Sequence, residues 1–150
     1  YALAAVAPIA ASFIVAAGLD GRVSFQPGDF WEDDLPVHAD AYSLGFILHD
    51  WDELGGSILL EKIAAASRPG SLLIVGEYLL DETRTGPLFV ARQDLNMLVA
   101  ARGRERTAAE YRAWLGRYGF EIRNIYPTSM GKQFMVASRA GCSGPEGAAA

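Results

Sequence analysis

Two near-continuous apolar runs constrain this chain more than any other feature: Ala41 to Leu48, and Ser71 to Tyr78. Neither run alternates with polar residues, which suits parallel strands buried on both faces. Between them, Asp52 to Ser67 has helical spacing at Leu54, Ile58, Leu59, Lys62 and Ile63, and Arg68-Pro69-Gly70 stops it abruptly. Parallel neighbours need a crossover connection of roughly a dozen residues or more, and a helix of this length supplies one. The reading is strand, helix, strand, and it predicts an α/β architecture with a mostly parallel sheet.

The flanking segments extend this reading. Arg22 to Phe25 is a short β-rich run ending at Pro27-Gly28-Asp29, with an acidic loop, Glu32-Asp33-Asp34, behind it. Pro87 to Ala101 is expected to be helical with proline in its first turn, and Thr107-Ala108-Ala109-Glu110 forms a capping box for a helix ending near Gly119. Phe120 to Tyr126 and Gln133 to Ser138, separated by Pro127 and Gly131, predict an antiparallel C-terminal hairpin. Residues 1–139 then form one domain, and the small-residue stretch 140–150 is expected to be a disordered tail.

Composition narrows the function classes. A chain that is 51% hydrophobic and 21% charged is globular rather than disordered. Its net charge of -5 repels phosphate backbones, so no nucleic-acid partner is expected. One cysteine, Cys142, cannot form an internal disulfide, and with only His38 and His49 beside it there is no four-ligand zinc pattern; a reducing, cytoplasmic setting is expected. The uncharged stretch Tyr1 to Leu19 approaches the length of a membrane span. However, Val6, Ile9, Phe13, Ile14 and Ala17 give it one apolar stripe, which reads as a helix lying on a sheet, with no membrane partner. A secreted or membrane-tethered protein is the minor alternative. The sequence starts at Tyr1 without methionine, which fits a piece of something longer.

In open parallel sheets, ligands bind beyond the carboxyl ends of the strands. Asp29 follows the first run, His49 and Asp50 the second, and Glu77 lies near the end of the third. A histidine at a strand rim with a carboxylate on the adjacent rim is what a general base and its orienting partner require. Glu105, in Arg102-Gly103-Arg104-Glu105-Arg106, is a third candidate acid. Bland readings stay open: Asp50 and Asp52 fit helix caps, His49 fits a strand-end hydrogen bond, and Glu105 among arginines fits a solvated face. Glu77 fits one least, because a carboxylate beside an apolar strand costs several kcal/mol unless paired; an imidazole or arginine partner is expected. Trp31, Trp51 and Trp114 read as packing.

Several of these segments resemble one family. Phe25-Gln26-Pro27-Gly28-Asp29-Phe30-Trp31, Ile47-Leu48-His49-Asp50-Trp51, Arg68-Pro69-Gly70, Leu95-Asn96-Met97-Leu98, Gly103-Arg104-Glu105-Arg106-Thr107 and Gly119-Phe120 are similar to the C-terminal catalytic domain of S-adenosylmethionine-dependent O-methyltransferases, in particular the hydroxyindole and caffeate group and its bacterial polyketide relatives. The likeness runs from about Leu3 to Arg139. It implies a Rossmann-like methyltransferase sheet, with S-adenosyl-L-methionine as methyl donor, S-adenosyl-L-homocysteine as product, and no metal. The acceptor would be a phenolic or enolic hydroxyl of a small aromatic metabolite. His49 would be the general base, with Glu77 and Glu105 flanking the imidazole. Asp29 and Phe30 would contact the adenine, Asn96 and Met97 would line the acceptor pocket, and Asp50 would support the base. A homodimer formed through an N-terminal domain is also implied.

The resemblance has gaps. The family's glycine-rich donor loop follows the first strand of its sheet, and no G-x-G-x-G occurs in this chain, so that strand and loop are expected upstream of Tyr1. Where the family has a ribose-binding aspartate, the matching stretch is Ala2-Leu3-Ala4, and Gly45 stands where plant members carry lysine. The sheet is accordingly expected to expose an edge, and the isolated chain to bind the methyl donor weakly or not at all. The competing hypothesis is a non-catalytic, methyltransferase-like interaction or structural module.

Overall fold

A computed structural model describes residues 1–141. Of the expected tail 140–150, residues 142–150, Cys142 included, lie outside the described residues. The chain divides into two compact units, Tyr1–Leu35 and Pro36–Ala150.

In the first unit, Ala4–Val6 forms a single 3-10 turn and α1 spans Ala7–Ala16 with proline in its first turn. The expected apolar stripe is not covered: no residue of α1 is buried, and Ile9, Phe13 and Val15 are exposed. Nor is Arg22 to Phe25 a strand. Only one bridge forms, parallel, between Ala2 and Pro27, held by Ala2 N–H to Gln26 and Gly28 N–H to Ala2. The partner segment turns helical at Ala4, so no second rung can form. Among the described residues no helix is long and apolar enough to cross a membrane.

The second unit contains the strand, helix, strand reading as β1 (Ala41–Gly45), α2 (Glu53–Ala66) and β2 (Leu72–Glu77). β1 and β2 are parallel, with Ala41 opposite Leu72 and Gly45 opposite Gly76. Asp52 caps α2, accepting from Gly55 N–H at 2.8 Å, and Gly70 takes the left-handed turn (φ 86°) after it. The buried face of α2 is Gly56, Leu59, Leu60, Ile63 and Ala66, while Leu54 and Ile58 are exposed. The face is rotated from the one read off the sequence because Gly56 receives the Trp114 indole, which a Cβ there would strike.

Next come β3 (Leu79–Leu80), α3 (Leu88–Ala100), β4 (Arg106–Thr107), α4 (Ala108–Arg117), β5 (Phe120–Pro127) and β6 (Gln133–Arg139). The capping box is present: Glu110 N–H donates to the Thr107 hydroxyl, and Thr107 N–H donates to the Glu110 carboxylate. β5 and β6 form the antiparallel hairpin, and β6 adds antiparallel to β2. The main sheet has the order β1-β2-β6-β5, so among the described residues it is mixed rather than mostly parallel. A second, two-stranded sheet pairs β3 with β4 in parallel. β2 is central, and Leu73 and Val75 on it are fully buried with Leu60, Ile63, Met135 and Leu115. β1 is half-buried at best and lies at the sheet edge among the described residues.

Candidate active site

The polypeptide leaves β1 through Phe46, whose φ is 54°, and enters a 3-10 turn, Leu48–Asp50, that carries His49. A chain leaving an edge strand into so short a turn has orphaned backbone groups that need partners. Two buried charged side chains supply them. Glu77, at the end of β2, accepts through Oε1 from Ile47 N–H at 3.1 Å and Leu48 N–H at 3.0 Å. Arg106, at the start of β4, donates to the carbonyls of Leu48 at 3.0 Å and Trp51 at 3.1 Å.

The turn holds the His49 imidazole, 5% exposed, between two carboxylates that are each 0% exposed. Its Nδ1 lies 2.9 Å from Glu105 Oε1 and 3.8 Å from Glu77 Oε2. Because a carboxylate only accepts, the Nδ1 proton points at Glu105, leaving the Nε2 lone pair as the proton acceptor. Nε2 lies 3.4 Å from Asp50 Oδ1, whose side chain is partly exposed. Glu105 is held in turn by its own N–H, which donates to Asp94 Oδ1 on α3 at 2.7 Å. The Phe46 ring is 5.4 Å from the imidazole, centroid to centroid.

Burial and charge act in opposite directions here. Burial is the largest single influence on His49 and lowers its pKa, but the Glu105 hydrogen bond and the charges of Glu77, Glu105 and Asp50 outweigh it, so the pKa is raised above 6.5. Burial pushes Glu77 up to about 7, against the opposing pull of His49 and the two backbone amides.

Three expected acids, Asp50, Glu77 and Glu105, are thus within ion-pair range of the expected His49 ring. The partner expected for Glu77 proves to be chiefly backbone amide, with the imidazole beyond hydrogen-bond distance. The open reading of Glu105 as a solvated side chain is excluded by its burial, and Asp52 rather than Asp50 is the helix cap. Asn96 and Met97 lie on α3, two and three residues beyond the Asp94 that holds Glu105; Asn96 is exposed and donates to Gln93 Oε1 at 3.3 Å. Asp29 and Phe30 belong to the first unit, where Asp29 Oδ1 accepts from Trp31 N–H at 2.9 Å and the Phe30 and Trp31 rings are 4.9 Å apart. Among the described residues no group of three or more His, Cys, Asp and Glu is placed to hold a metal ion.

Sequence reasoning missed Asp94 and Arg106. Asp94 gave no signal beyond helical position. Arg106 was hidden among surface arginines, and its one clue was its place immediately before the capping threonine, where a residue entering a buried strand must itself be buried.

Taken together, the fold and the site define a Rossmann-like α/β protein with a hydrogen-bonded histidine–carboxylate centre at the exit of a parallel strand. A family model described as an O-methyltransferase domain matches residues 1–121. The chain belongs to this family. It is 50% identical over 101 residues to acetylserotonin O-methyltransferase of Bos taurus, covering 67% of this chain and 29% of that protein. It is 38% identical over 133 residues to 3-hydroxy-5-methyl-1-naphthoate 3-O-methyltransferase of Streptomyces sahachiroi, covering 88% and 39%. The crystal structure of human N-acetylserotonin methyltransferase in complex with SAM superposes with a TM-score of 0.77 at 34% identity, over 93% of this chain and 39% of that one. The chain therefore spans about a third of the length of these relatives.

Proposed function

We propose that residues 1–139 are the C-terminal portion of an S-adenosyl-L-methionine-dependent O-methyltransferase acting on a phenolic or enolic hydroxyl of a small aromatic metabolite, with His49 as general base. One observation carries the reading: Nδ1 is committed to buried Glu105 at 2.9 Å, which orients Nε2 as the acceptor. The named relatives support the substrate class, since one methylates a hydroxynaphthoate and the other acetylserotonin.

A phenol ionises near pH 10 and a free imidazole is protonated only below about 6.5, so an isolated histidine is a poor base for it. Glu105 and Glu77 reduce the mismatch by stabilising the imidazolium that forms when Nε2 takes the hydroxyl proton. Asp50 beside Nε2 adds to that stabilisation. S-adenosyl-L-methionine, when bound, supplies an electrophilic methyl group, and is consumed to S-adenosyl-L-homocysteine. The family resemblance assigns Asp29 and Phe30 to its adenine, by hydrogen bond and by stacking respectively. No glycine-rich donor loop is in this chain. Asn96 and Met97 on α3 would line the acceptor side. Water exclusion favours the reaction, because opposite charges on nucleophile and donor disappear as the bond forms. Alignment of the two reactants contributes up to roughly 7 to 11 kcal/mol. The reading extends to a cytoplasmic homodimer assembled through an N-terminal domain.

The decisive substitution is His49→Gln in the whole protein. The expected result is loss of turnover by at least about 10²-fold, with the donor Kd unchanged within twofold, because the imidazole acts on the acceptor. Normal turnover refutes the mechanism. A non-catalytic module is the less favoured reading, since it leaves two buried carboxylates around an imidazole without a purpose; turnover by the wild-type protein eliminates it.

A further inference from the structure

Arg102, Arg104 and Arg106 surround Glu105 in sequence and differ sharply in surroundings. Arg104 is half-exposed and pairs with Glu110 at 3.0 Å, whereas Arg106 is 2% exposed. A buried guanidinium is costly unless its fork of N–H donors is satisfied. Nη1 donates to the carbonyls of Leu48 at 3.0 Å and Arg104 at 3.2 Å, Nη2 donates to Trp51 at 3.1 Å, and the guanidinium lies 4.1 Å over the Trp114 ring. Leu48 and Trp51 stand on either side of His49 and Asp50. Both backbone polar groups of Leu48 are therefore gripped by buried side chains of opposite charge, its N–H by Glu77 and its C=O by Arg106. A third constraint comes from Gly103, where any Cβ would collide with the His49 carbonyl oxygen.

We propose that Arg106 is a positioning residue for His49: its planar fork holds the carbonyls on both sides of the 3-10 turn and thereby aims the imidazole at the carboxylate of the preceding residue, Glu105. Because Arg106 sits in β4, opposite Leu79 of β3, the clamp ties the turn to the strand that begins two residues after Glu77. Gly103, Glu105, Arg106 and Thr107 then have distinct tasks: close approach to the turn, ring orientation, turn fixation and helix capping. The proposal rests on His49 being the base, but its central measurement does not depend on activity.

Arg106→Lys separates positioning from charge, since lysine keeps the cation and lacks a fork able to span two carbonyls. In the whole protein, kcat is expected to fall by about 10²-fold, the effect of an ångström-scale misplacement, with the donor KM unchanged. In the whole protein labelled with [13Cε1]histidine, with the His49 signal assigned by its loss in His49→Gln, the His49 pKa is expected to fall towards its ordinary value. Wild-type kcat and wild-type His49 titration in R106K overturn the proposal, even if Tm drops. If R106K does not fold, the wild-type chain decides: 15N spectra should show slow rotation about the Arg106 Nε–Cζ bond, and free rotation overturns the clamp. Should His49→Gln leave turnover intact, the base reading fails while the titration of His49 in R106K still reports on the clamp.

Discussion

Glu77→Gln tests the electrostatics of the site through folding stability. Glu77 is completely buried, and burial raises its carboxyl from 4.5 to about 7. In the unfolded chain it ionises at the ordinary value, so between these limits the folded protein holds a proton that the unfolded protein has released. Unfolding free energy therefore falls as pH rises: the stabilising contribution is complete below pH 4.5 and is lost as pH passes through about 7. At about 1.4 kcal/mol per pKa unit, the separation corresponds to roughly 3 kcal/mol. His49 adds in the same direction, because its raised pKa gives stability present below 6.5 and lost as pH rises through the folded value. Glutamine keeps an oxygen for the Ile47 and Leu48 amides and does not ionise. In urea titrations followed by tryptophan fluorescence, E77Q is expected to unfold near the wild-type midpoint at pH 5. By pH 8.5 it is expected to have gained roughly 3 kcal/mol on the wild type. Stability curves that stay parallel to within roughly 0.5 kcal/mol from pH 5 to 8.5 would refute the reasoning.

Two further substitutions examine the scaffold. Thr107→Ala removes the hydroxyl that accepts Glu110 N–H at the start of α4, and should cost about 1 kcal/mol in the same urea assay without altering the His49 titration. Gly56→Ala places a methyl group against the Trp114 indole that carries Arg106, and is expected to cost about 1 to 3 kcal/mol; an unchanged midpoint would show that the indole can move aside.

Local sequence determined the elements whose cause is local. The crossover unit followed from two apolar runs and the stop at Arg68-Pro69-Gly70, α4 from its capping box, and the hairpin from Pro127 and Gly131 between β-rich segments. The candidate site residues His49, Glu77 and Glu105 were legible because polar groups that interrupt apolar strands, or precede a capped helix, stand out one by one. Their meeting was not: a sequence separation of 56 between His49 and Glu105 carries no record of a 2.9 Å contact. Arg22 to Phe25 shows the converse, a β-rich run that is no strand, since pairing requires a partner and Ala2 offers one rung. The buried face of α2 was likewise decided by where Trp114 lands. Arg106 marks the boundary most clearly. In sequence it is one arginine of three, and only the packing of β4 beneath the His49 turn takes it from water, because burial of a charge depends on what the rest of the chain places around it.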